Sequence, residues 1–251
     1  MTEGIKPPAA ALPWLVETAR VTAFCAVPVG SLRAWWDQVT EGTVPENINE
    51  SPRTGAAGIR GSWRSGNLTL GTDGGRVDWV YASREEEELA PWPSLGSMKE
   101  LEAFSNQLNA WLGKANLDYR RLALGAILRH PVVDRKAGYV ALEPLLRSVR
   151  IDADRMSELH YQINWRRQST VVPDLEINRL MKWSVARTQR VQLQIQPMGT
   201  PTPIGPERLA AKLEVDINTS PEHVGSLPQA GQVFAELVKL GFEIATEGES
   251  P

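Results

Sequence analysis

A chain of 251 residues with 42% hydrophobic and 23% charged side chains has the composition of a soluble globular protein, long enough for one large domain or two ordinary ones. Its net charge of −3 argues against a wholesale nucleic-acid or membrane binder, yet the charge is uneven: residues 119–218 carry 16 basic and 10 acidic side chains, while every other stretch is acidic on balance. The single cysteine, Cys25, has no partner for an internal disulfide. The N-terminal stretch lacks the basic and apolar regions of a secretory signal, and no apolar run approaches the ~20 residues of a membrane span. A reducing, cytoplasmic setting is the expectation.

Residues 1–13, with Pro7, Pro8 and Pro13 and no periodic pattern, read as a flexible arm. Arg20 to Val27 reads as a strand closed by Pro28. Ser31 is placed to cap a helix carrying Leu32, Trp35, Trp36 and Val39 and ending near Gly42. Adjacent helix positions lie about 100° apart, so Trp35 and Trp36 are not expected to face inward together. Residues 43–58 read as a long loop. Three short strands follow, Ile59–Arg64, Asn67–Leu70 and Arg76–Ala82, with turns at Ser65-Gly66 and Asp73-Gly74-Gly75, where glycine reaches the positive φ of tight hairpins. Residues 84–94, with the Glu85–Glu88 run and Trp92 between Pro91 and Pro93, suit a surface crossing. Ser97-Met98-Lys99-Glu100 has the form of a capping box. It opens a helix whose Met98, Leu101, Phe104, Leu108, Trp111 and Leu112 share one face.

From Tyr119 the pattern starts again. Leu122, Leu124, Ala126 and Leu128 alternate in a strand ending near Pro131, and a helical run from Tyr139 to Val149 is interrupted by Pro144. Four alternating runs come next. Leu159, Tyr161, Ile163 and Trp165 form the first; Met181, Trp183 and Val185 the second; Val191, Leu193 and Ile195 the third; Leu213, Val215 and Ile217 the fourth. Side chains on a strand alternate between faces, so these runs predict an antiparallel meander with an apolar back and a polar front. A helix from Gln229 to about Ala245, with Val233, Phe234, Leu237, Leu240 and Ile244 as its stripe, is placed to cover that back.

Both halves thus read strand, helix, antiparallel strands, long helix. The expected fold is α+β, with two pattern-related halves, antiparallel sheet and long amphipathic helices behind it. The division is an arm at 1–13, an N-terminal half at 14–117, a C-terminal half at 118–247 and a tail at 248–251. The two halves are expected to share one sheet about a pseudo-twofold axis. The saddle of TATA-binding-like folds is the nearest topological analogue, and a fold analogy confers no function.

Leu213-Glu-Val-Asp-Ile-Asn-Thr219, followed by a helix containing Phe234-Ala-Glu-Leu-Val238, resembles the ending of a sporadically distributed prokaryotic family of uncharacterised proteins of about this length. The opening strand and helix after a proline-rich arm resemble it too. The resemblance brings no catalytic residue or cofactor. It implies accessory or mobile-element genes, a setting shared with many defence systems.

Three uses follow from the residues. The first is a non-enzymatic scaffold that recognises a protein partner, since no catalytic motif occurs and nine tryptophans are a surplus, with Trp36 and Trp92 as exposed anchors. The second is a nucleic-acid-binding saddle using Arg166, Lys182, Arg187, Arg190, Gln192 and Gln194, where cations would neutralise phosphates and glutamines read base edges. The third is a metal-dependent hydrolase or nuclease, in which His160, Glu214 and Asp216 would have to converge on one pocket. His130 reads as a strand-end residue, His223 as a helix-start residue and Cys25 as core. The residues call for no cofactor and no resident metal.

Overall fold

The computed structural model describes residues 12–25, 31–51, 53, 55–84, 92–192 and 202–250. Nearly all of the expected N-terminal arm and the Glu85–Glu88 run lie outside the described residues. The first half runs from β1 (Leu15–Cys25) through α1 (Leu32–Thr40), β2 (Asn47–Glu50), β3 (Ala57–Trp63), β4 (Gly66–Asp73) and β5 (Arg76–Ser83). The two-residue β6 (Gly96–Ser97) then leads into α2 (Met98–Ala115). The second half contains β7 (Tyr119–Val132), α3 (Arg135–Leu142), a 3-10 turn at Glu143–Leu145, β8 (His160–Gln168), β9 (Glu176–Gln192), β10 (Thr202–Thr219) and α4 (Ala230–Glu247). All the strands join one antiparallel sheet in the order β2-β3-β4-β5-β1-β7-β10-β9-β8, with β6 beside β1. The α+β class is as expected.

Alternation decides which side of this sheet is covered. Trp165, Arg179, Ile217, Leu124, Val21, Trp79, Leu70 and Ile59 stand opposite one another in a row across eight strands. The four α-helices of the described residues lie on that side. Trp36 of α1 approaches Gly61 of β3, Phe104 of α2 packs on Tyr81 and Trp63, Gly241 of α4 sits over Ile217 and Leu124, and Gly138 of α3 sits over Val185 and Val132. Beneath the first half the contact is aromatic. Trp111 meets Trp35 and Trp79 edge-on at ring separations of 5.4 and 5.6 Å, the T-shaped geometry that ring quadrupoles favour.

Several local expectations are corrected. Trp35 and Trp36 are both buried, because α1 lies in the angle between β3 and α2 and neighbouring faces of the helix are both covered. The Met181–Val185 run and Val191 lie on one strand, since β9 continues from Glu176 to Gln192 with no turn between them, and Leu193 and Ile195 lie outside the described residues. Part of the loop at 43–58 is the edge strand β2, whose residues are all exposed and so carry no alternation to read. Ser97 makes no side-chain cap; Glu100 instead reaches Tyr81 at 3.5 Å and Arg64 at 4.0 Å. α4 likewise begins without a side-chain cap. α3 starts earlier than expected, at Arg135, because Asp134 accepts the Ala137 amide at 2.7 Å, and Pro144 turns its end into the 3-10 segment.

The residues read as a tail are anchored. The Glu249 amide donates to Leu145 O at 2.9 Å, Tyr161 Oη donates to Glu249 at 2.8 Å, and Arg179 donates to Ser250 O at 2.8 Å. Glu236 of α4 ties down the β8–β9 loop, accepting Ser169 Oγ at 2.6 Å, the Thr170 amide at 2.7 Å and Thr170 Oγ1 at 2.8 Å. Burial works against its charge, but these donors and Arg167 outweigh it and lower its pKa below the ordinary 4.5.

A carboxylate with a lowered folded pKa stabilises the protein above its unfolded pKa, and that contribution is lost as pH falls through the folded value. Glu236→Gln is therefore expected to flatten the fall in melting temperature as pH drops below about 4.5. Parallel melts of the wild type and variant across that range check it. Trp111→Ala should cost ~3–5 kcal/mol in urea unfolding, the range for removing a large ring from a packed core.

Candidate functional site

The side of the sheet away from the helices is the place to look for function, because among the described residues no helix packs on it. Its residues also line up in register. Arg60, Thr69, Val80, Arg20, Gly125, Asp216, Leu180 and Asn164 stand opposite one another from β3 to β8. Gly125 sits near the middle of the row, and its missing side chain leaves a depression of about 260 Å³ between the neighbouring strands. Thr18 and Arg20 of β1, Ile127 of β7, Leu180 and Lys182 of β9, and Glu214 and Asp216 of β10 form its walls.

The carboxylates of this depression are partly engaged. Glu214 Oε1 lies 2.6 Å from Lys212 Nζ, and Asp216 Oδ1 accepts Asn218 Nδ2 at 2.9 Å. Asn218 continues into a rail of polar contacts. Its Oδ1 accepts Arg121 at 2.9 Å and Asn178 at 3.2 Å, and Asn178 Oδ1 accepts Asn164 Nδ2 at 3.1 Å. The rail spans β7, β10, β9 and β8. By contrast, Arg20 and Lys182 have no hydrogen-bond or ion-pair partner among the described residues.

The residues expected to bind nucleic acid do not share a face. Arg166 and Lys182 are exposed on the open side. Arg187 has the parity of Trp183 and Val185, which puts it on the helix side, where it pairs with Glu207 at 2.9 Å. Arg167 and Arg179 follow the same parity. Arg167 lies 3.5 Å from Glu243 of α4, and Arg179 is buried with its guanidinium on Trp165 O and Ser250. Arg166 is paired with Glu176 at 3.1 Å and Glu222 at 3.7 Å. The side chains of Arg190 and Gln192, at the end of β9, and the whole of Gln194 lie outside the described residues.

The hydrolase triad does not assemble. His160 is exposed and shares a groove with Glu214, while Asp216 lines the central depression beside Glu214; neither of these two cavities holds all three. The physical reason is register. His160 stands opposite Ser184 and Lys212, two strands from β10 and two steps along it from Glu214. Among the described residues no group of three His, Cys, Asp or Glu side chains is placed to hold a metal ion.

The expected anchors are also withdrawn. Trp36 is 0% exposed, and its indole N–H donates to Thr43 O at 2.6 Å. Trp92 is 7% exposed, covered by the Arg129 guanidinium 4.9 Å over its ring. His130 lies on the helix side against the ring of Trp14. Burial, with a contribution from Asp118, pushes the Cys25 thiol up to about 11, so it stays protonated and unreactive near neutral pH.

Arg20, Gly125 and Asn178 were not singled out by sequence reasoning, which had Asn218 only as the strand neighbour of Glu214 and Asp216. The alternation rule puts Arg20 and Gly125 on the open face. That they are neighbours depends on how β1 pairs with β7, and the residues alone do not carry that register. No protein-family model matches this chain, and a search of curated proteins found no match either.

Asn218 is 8% exposed and takes part in three of the rail's hydrogen bonds. Asn218→Ala would leave Arg121 and Asn178 short of an acceptor, and should cost ~1–3 kcal/mol in chemical denaturation. An exposed polar position of the same face, such as Gln162→Ala, should stay within about 0.5 kcal/mol.

Proposed function

We propose that the protein is a non-enzymatic binding protein whose contact surface for a protein partner is the open, polar face of its sheet. The observation that carries this reading is the placement of all four helices behind one sheet, which leaves a wide face with charges of both signs. On its C-terminal half Arg166, Lys182 and Lys212 face Glu176, Glu214 and Asp216. Interspersed charges of this kind suit a complementary protein surface, where they steer encounter and reject wrong partners. A polyanion would need a continuous basic stripe.

The two halves make this face together, and we read them as a duplicated unit. What supports the duplication is the order of elements on either side of the β1–β7 pair. Each half opens on a central strand, passes to a helix, returns through antiparallel strands to a position beside its opening strand, and ends on a long helix, α2 or α4. The resemblance noted at the C-terminus fits a cytoplasmic accessory component of a multi-gene prokaryotic system. No helix among the described residues is long and apolar enough to cross a membrane.

The test is co-purification from the native host with charge reversals on each side of the sheet. Lys182→Glu and Arg166→Glu should release a partner that the wild type and Arg33→Glu, on exposed α1, both retain. Equal retention by all four proteins would remove the reading. Fluorescence anisotropy with DNA and RNA across a salt series addresses the nucleic-acid alternative: tight binding with a steep salt slope would favour it instead.

A further inference from the structure

The central depression has chemistry of its own, which goes beyond the contact-surface reading. Two cations at its rim, Arg20 and Lys182, lack partners among the described residues, while Glu214 and Asp216 each have one oxygen engaged within the chain. Cations without a partner among the described residues and carboxylates with a second oxygen to spare therefore line one small concavity. Arg20 lies over the floor, its Nε 3.9 Å from where a Cβ on Gly125 would stand. Ile127 and Leu180 add apolar wall. At about 260 Å³ the space falls just below the range of roughly 300–1,000 Å³ typical of drug-sized ligands.

A ligand matching this set is small, carries charges of both signs, and has a modest apolar part. We infer that the depression binds a free α-amino acid. The α-carboxylate lies on the Arg20 guanidinium, whose planar fork suits two-point contact with a carboxylate. The α-ammonium takes the free oxygens of Asp216 and Glu214, and the side chain rests against Ile127 and Leu180. A plain anion would meet the Asp216 carboxylate across the depression, and a plain cation would meet Arg20. A zwitterion satisfies both walls at once.

The test titrates the full chain with each of the twenty free amino acids at low ionic strength, by calorimetry and saturation-transfer NMR. It then repeats any that bind as the N-acetyl and the C-terminal amide derivatives. The expected result is saturable binding of at least one amino acid, weakened about tenfold or more when either charge is blocked and again by Arg20→Gln. Gly125→Val adds a β-branched side chain that suits a sheet, and its Cβ meets nothing closer than 3.7 Å. It narrows the depression over Gly125, so binding should weaken about tenfold or more, with a melting temperature near that of the wild type showing that the strand is kept. Absence of saturable binding by all twenty overturns the inference. So does equal binding of the blocked derivatives, or undiminished binding by both Gly125→Val and Arg20→Gln. Equal retention of the partner in the charge-reversal experiment leaves these readouts untouched, so the two readings fail separately.

Discussion

The pairing of β1 with β7 is the constraint on which the rest of the molecule depends. The two strands run antiparallel from Leu15 opposite Arg129 to Cys25 opposite Tyr119, and among the described residues they join the two sets of strands in the sheet. Their register puts Val21 opposite Leu124 and Arg20 opposite Gly125. The buried faces of both halves therefore coincide, and α2 and α4 pack against each other behind one surface. A slip of one residue would turn Arg20 under the helices and expose Leu124's neighbours, because the side-chain period of a strand is two. The irregularity between Val16 and Thr18 shows where the chain absorbs such a shift: Glu17 is left out of the pairing and turns to Arg129.

With every helix on one side, the other side has to be stable in water, and the polar rail follows from that. Asn164, Asn178, Asn218 and Arg121 satisfy one another across four strands, which rigidifies a surface that has no packing layer above it. The edges are protected in a related way. β2 exposes Asn47, Asn49 and Glu50, and β8 exposes Gln162, Asn164 and Arg166, so neither edge offers the flat apolar row that invites sheet-to-sheet association.

Much of this was legible in the residues, because burial on one face leaves a period of two. Leu213, Val215 and Ile217 are buried, and Lys212, Glu214 and Asp216 are not, as alternation predicted; the apolar stripes of α2 and α4 face inward in the same way. What escaped depended on contacts remote in sequence. Helix geometry says Trp35 and Trp36 diverge, and they do, but two different elements cover their two directions. The wholly exposed β2 has no pattern to detect. The basic surplus of residues 119–218 was counted along the chain, while the sheet sorts its β8 and β9 members by parity: Arg167, Arg179 and Arg187 go to the helix side, leaving Arg166 and Lys182 among carboxylates. Linear counting ignores the alternation that the same residues display.

That sorting also explains why the central depression belongs to the whole chain. Thr18 and Arg20 come from the first half, while Gly125, Lys182, Glu214 and Asp216 come from the second. Neither half alone would enclose it. The second half on its own would present Gly125 on an open edge, and the first would present Arg20 to bulk water, where an unpaired guanidinium has little reason to hold one position. Joining the halves brings a partnerless cation over a missing side chain, across from carboxylates with spare oxygens. A sheet selected only for stability would be expected to pair those charges or fill that gap, since an added side chain at Gly125 meets nothing closer than 3.7 Å. The gap lies where the two sets of strands meet, at the β1–β7 pair, so its walls come from both.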